Sequence, residues 1–181
     1  LAILAPITLQ AGATLQMQRC FLEADGDALV MKAGARAELL QVRGRGVVRV
    51  NGAKSRPASL VVRDTQWQGF EGAGVLLDQG ELDAQRFELD GAGVAAEGGK
   101  LEIRASAIRA PLKDGLKLWG AVKAQVDDLT ISDCQEVGFL VQGNARLEAS
   151  RCRVTGSLKN SLWVVENGAA VLEECDLVGG G

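Results

Sequence analysis

The sequence predicts an all-β right-handed parallel β-helix, a solenoid of about eight coils with 19–23 residues in each. Three observations predict it. A frame of four positions, the later ones two, five and seven residues after the first, recurs eight times along the chain. Within each copy, apolar and polar residues alternate with the period of two that marks a strand with one buried face. The copies are too short for a strand-helix-strand unit, which needs roughly 30 residues, and they lack the 3.6-residue period of a helical repeat.

The frame reads Leu15, Met17, Cys20, Leu22, then Ala37, Leu39, Val42, Gly44, then Leu60, Val62, Thr65, Trp67. It continues as Leu82, Ala84, Phe87, Leu89, and as Leu101, Ile103, Ser106, Ile108. The last three copies are Ala124, Val126, Leu129, Ile131; Leu147, Ala149, Cys152, Val154; and Ala170, Leu172, Cys175, Leu177. The step from two to three residues between the second and third positions marks a bend. Equivalent strands then stack in parallel at about 4.8 Å, and equivalent positions form ladders inside the coil. One inward ladder is Cys20, Val42, Thr65, Phe87, Ser106, Leu129, Cys152, Cys175.

A second strand follows in each copy, opened by glycine in Gly74-Val75-Leu76-Leu77, Gly115-Leu116-Lys117-Leu118 and Gly138-Phe139-Leu140-Val141. Ser161-Leu162-Trp163-Val164 is a variant of it. The shortest copy loses three residues near position 93, so its turn is expected to be tighter. Residues 1 to 9 read as part of a further coil, and the whole of 1–181 reads as one β-helix domain cut from a longer protein. Neither end carries an amphipathic capping helix, which points to continuation or to end-to-end stacking against another molecule.

The repeats resemble the right-handed parallel β-helix superfamily, in particular the short repeats shared by carbohydrate-binding and sugar-hydrolysing proteins and by some F-box substrate receptors. The resemblance is carried by Gly138-Phe139-Leu140-Val141-Gln142-Gly143-Asn144-Ala145, by Ser150-Arg151-Cys152-Arg153-Val154, and by Glu174-Cys175-Asp176-Leu177, and it extends over residues 12 to 181. It implies the fold. For function it implies two classes: polysaccharide lyases, hydrolases and epimerases, or adhesins and interaction scaffolds.

The chain has no histidine, which excludes imidazole-based nucleophilic catalysis and removes the commonest zinc ligand. Asp127-Asp128 resembles the adjacent aspartates of the polygalacturonase branch, but that branch's Asn-Thr-Asp, Gly-His-Gly and Arg-Ile-Lys signatures are missing. Adjacent strand residues also face opposite ways. Asp127 and Arg104 remain the catalytic candidates, on an outward face shared with Arg63, Asp83, Gln85, Glu102 and Gln125. The mixture of charges there reads as cross-coil ion pairs rather than a calcium cage. No metal site and no cofactor are implied.

Cys20, Cys152 and Cys175 read as reduced core thiols, with Cys134 outside the ladder and exposed near a bend. Reduced thiols favour a cytoplasmic location, with secretion left open. A net charge of −3 argues against nucleic acid, and no apolar run is long enough to span a membrane. Alternation turns Leu76, Ala95, Lys117, Leu140 and Trp163 outward along the second strand, with Trp119 and Val165 just beyond it. Leu76, Lys117, Trp119, Leu140, Trp163 and Val165 are therefore the binding candidates. The expected function is a non-enzymatic scaffold that presents this apolar flank to a protein partner or to another domain of the same protein. The alternative is a carbohydrate-binding or polysaccharide-cleaving β-helix, against which aromatics total only 4% with no tyrosine.

Overall fold

In a computed structural model that describes residues 2–179, every strand belongs to one 17-stranded sheet wound into a parallel solenoid. The repeating frame is its unit. The first frame position forms an unbroken ladder through Leu15, Ala37, Leu60, Leu82, Leu101, Ala124, Leu147 and Ala170, each paired with the next coil. Residues Ala2–Ile3 and Ile7–Leu9 pair with Phe21–Met31, so the expected further coil is present at the N-terminal end.

Each coil has three faces. The first two frame positions lie on the first face, and the last two lie on the second face, after the bend. The second strand of the repeat makes the third face. The inward residues of all three interdigitate in a single apolar core running along the axis. Phe139 is its largest fully buried side chain.

The bend between first and second faces has one solution, used eight times. The residue just before the third frame position is left-handed in every copy: Arg19, Gln41, Asp64, Arg86, Ala105, Asp128, Arg151 and Glu174 all have φ between 47° and 55°. Non-glycine residues disfavour this region by about 1–2 kcal/mol each. Cross-coil hydrogen bonds compensate: the N–H of Arg19 donates to Leu40 O at 3.0 Å, and that of Arg151 to Glu173 O at 2.9 Å. The turn also leaves the next N–H pointing into the core. Where the following coil offers a polar side chain, it accepts that proton. Val42 N–H donates to Thr65 Oγ1 at 3.4 Å, Phe87 N–H to Ser106 Oγ at 3.1 Å, and Cys152 N–H to Cys175 Sγ at 3.4 Å. Thr, Ser and Cys therefore occupy an otherwise apolar ladder because they satisfy a buried donor.

Glycine opens the third face for a steric reason. A Cβ at Gly115 would lie 2.5 Å from Ile131 Cγ2 and 2.9 Å from Gly138 O, and one at Gly138 would lie 2.3 Å from a Val154 methyl. Size is matched between coils elsewhere too. Trp67 is buried, and its ring lies where a Cβ on Gly44 would stand, 2.1 Å away, while its indole N–H donates to Gly46 O at 2.9 Å.

The shortest copy has the tighter turn that its length requires. Two residues, 91–92, join its second face to its third, against four (69–72) in the coil before and six (110–115) in the coil after. Cys134 departs from expectation. It is fully buried rather than exposed, because the loop that carries it folds inward until Sγ lies 3.2 Å from the Cβ position of Gly115.

Candidate functional site

On the third face, strand register places Leu76, Ala95, Lys117, Leu140 and Trp163 on successive outward rungs. Trp119 is two residues after Lys117 on the same strand and faces the same way; its rung partner is Glu97. The Lys117 ammonium lies 5.6 Å from the centre of the Trp119 ring, a cation–π contact. Val165 follows the strand Leu162–Val164 and donates its N–H to Val141 O at 3.0 Å.

Exposure along this ladder is uneven. Trp163 is 48% exposed, whereas Leu140 is only 7% exposed. Leu140 is thus not the open surface residue that alternation alone suggests: it points outward, but the larger side chains of Lys117 and Trp163 flank it on the adjoining rungs. Leu76, Lys117 and Trp119 share a hollow of about 230 Å³ with Ala95. Leu140, Trp163 and Val165 are not among its lining residues. The structure therefore brings three of the six flank candidates together and strings the others along the neighbouring coils.

The first face carries the charged candidates. Arg104 and Asp127 are rung partners on adjacent coils, and both line a shallow hollow of about 380 Å³ with Gln125, Glu148, Ser150 and Glu173. Both are already engaged. Asp127 is ion-paired with Arg151 and accepts a hydrogen bond from Ser150 Oγ at 2.7 Å. Arg104 is paired with Glu102 and, at 3.4 Å, with Asp83, which also binds Arg63. Hydrogen bonding from Lys100, assisted by Arg104, holds the Glu102 carboxyl below the usual range. Asp128 is the left-handed residue of the bend, so the Asp127-Asp128 dipeptide is split between a face and a corner. Among the described residues, no three acidic or cysteine side chains converge into a metal cage.

All four cysteines are free thiols. Burial pushes the Cys134 and Cys152 thiols up to about 11, far from the range of a nucleophile at neutral pH. Cys152 Sγ donates to Ser150 O at 3.2 Å, a structural role.

Sequence reasoning passed over Glu71, Lys113 and Asp114. They reach the third-face hollow from loops, which periodicity does not index. Asp114 Oδ1 accepts the Val137 N–H at 3.2 Å, and burial raises its carboxyl above the ordinary range. No helix among the described residues is long and apolar enough to cross a membrane.

Comparison with known proteins gives a family and nothing narrower. No curated protein and no solved structure matches the chain. The family model described as right-handed beta helix region matches residues 57–180, well over half of the sequence. That match covers the coils from Leu60 to Ala170, and the chain belongs to the right-handed β-helix family.

Proposed function

We propose that this β-helix is a non-enzymatic interaction scaffold that binds a protein partner through the outer surface of its third face. The observation that carries this reading is a half-exposed tryptophan, Trp163, at the end of an outward ladder of the third face, with Trp119 on the same face two coils away. Tryptophan on an open apolar flank contributes more to binding than most residue types and little to folding. The first face offers a partner less. Asp127 and Arg104 already have intramolecular ion-pair partners, and a catalytic carboxylate has to be free to exchange protons.

The test is site-specific photo-crosslinking. A benzophenone side chain at Gln142, next to Trp119 and Val165, is compared with one at Gln125 on the first face. The reading expects one protein adduct from position 142 and none from position 125. The purified adduct partner should then bind Trp119→Ala and Trp163→Ala variants roughly tenfold or more weakly, as expected for tryptophan anchors. Equal binding by both variants overturns it.

A second reading has its own observation. The first-face hollow presents Arg104, Gln125, Asp127, Glu148 and Ser150 together, a polar set able to bond sugar hydroxyls and carboxylates. Binding of an acidic polysaccharide that is lost in Arg104→Ala would replace the scaffold with a carbohydrate-binding module.

A further inference from the structure

The hollow on the third face is a product of the shortest coil. Elsewhere the loops joining second and third faces stack on one another: Gln135 N–H donates to Pro111 O at 3.1 Å, and Leu158 N–H to Cys134 O at 3.0 Å. In the shortest coil, residues 91–92 are too few to fill this layer. The flanking loops close over the gap, so that a Cβ at Gly72 would meet Leu112 Cβ at 3.5 Å. The floor is Val94 and Ala95, and the walls are Leu76 and Trp119.

Two ammonium groups stand at its rim, Lys113 and Lys117, and neither has a carboxylate ion-pair partner among the described residues. By contrast, the flanking Lys159 is paired with Glu136 at 3.4 Å. Two carboxylates also line the hollow. Asp114 is committed to the Val137 N–H, and Glu71 stands on the opposite loop in the left-handed turn, φ 49°. On the Trp119 side two ammonium groups outnumber the single Asp114 carboxylate, while Glu71 alone stands on the other.

We propose that this hollow is the socket of the scaffold, receiving one aliphatic or aromatic side chain of a partner polypeptide that carries a carboxylate within a residue or two of it. A volume of about 230 Å³ suits a single large side chain rather than a helix or a sugar chain. The carboxylate sits at Lys113 and Lys117, away from Glu71. The proposal rests on the scaffold reading and narrows it.

The probe is N-acetyl-L-phenylalanine, compared with its neutral amide, titrated into the isotopically labelled chain and followed by amide and indole NMR shifts. The expected shifts cluster at Val94, Ala95 and the Trp119 indole N–H. The amide should bind about two- to five-fold more weakly, the value of one rim ion pair. Lys117→Gln should reduce that preference and Lys113→Gln combined with it should abolish it, Glu71→Gln should strengthen binding of the acid, and Ala95→Phe, which fills the socket, should remove binding. Shifts centred on Trp163, or an acid-to-amide ratio of one, overturn the proposal. If Ala95→Phe fails to fold, the Lys117 and Glu71 variants, at the rim, still decide. Loss of probe binding with position-142 crosslinks intact removes the socket alone. Loss of the crosslinks with probe binding intact removes the protein-partner reading and leaves the socket a small-molecule site.

Discussion

The first and third faces are built on the same pleat and wound by the same repeat, yet they meet solvent in opposite ways. The first face threads ion pairs from coil to coil, as in Arg63 and Arg104 sharing Asp83. Along the third face, from Leu76 to Trp163, the outward column carries a single cation, Lys117, which rests against Trp119. A ladder of complementary charges satisfies itself and has little left for a ligand. A side chain without a complement keeps its capacity to bind, which supports the role proposed for the third face.

The largest test of this comparison lies beneath the flank. Phe139 is inward and fully buried next to outward Leu140, so Phe139→Ala should cost about 3–5 kcal/mol in urea unfolding. A loss under 1 kcal/mol would mean that the two sides of this strand are reversed. The thiols below the bend give a pH signature of the same core. Their folded-state values lie above the ordinary thiol range, so the folded chain holds these protons longer than the unfolded chain does. Stability should therefore fall as pH rises from about 9 to about 11, and Cys152→Ala should flatten that decline.

On the first face, Asp83→Asn removes the carboxylate shared by two arginines. Its expected cost is about 1 kcal/mol or less, shrinking as salt is added, since the pairs are partly exposed. On the third face, Trp163→Ala should change unfolding by roughly 0.5 kcal/mol, an ordinary surface effect, while weakening partner binding. Unfolding of that variant would make Trp163 a core residue. The smallest effect belongs to the bend: Ala105→Asn should stabilise by a few tenths of a kcal/mol, because asparagine tolerates φ near 47° better than alanine. Thermal melts would show it as a small rise in midpoint.

The ladders were legible because each inward position of the frame is set by burial, and burial leaves a compositional trace. The Leu15-to-Ala170 column and the outward column from Leu76 to Trp163 follow the sequence residue for residue. The bend was legible only as an extra residue. Its left-handed geometry falls on Arg, Gln, Asp, Ala and Glu, none of them glycine or asparagine, so residue type gave no sign of it. Cys134 and Leu140 were misjudged for a shared reason: their burial depends on a loop and on flanking rungs, which alternation does not describe. Likewise the missing residues near position 93 foretold a tight turn, but not the space that a short loop leaves between two longer ones.

The coil-by-coil register also bears on how the chain finds its fold. Contacts between faces of successive coils join residues at nearly constant separation, 22 for Arg19 with Gln41, 23 for Ser150 with Asp127, and 26 for Cys175 with Ala149. Each new coil therefore closes a loop of similar length to the last, and the entropy of closure does not grow with the size of the protein. Folding of such a chain is propagation rather than assembly: once any two coils have met, each neighbour adds at the same modest cost, and the central coils, held from both sides, are the last to let go.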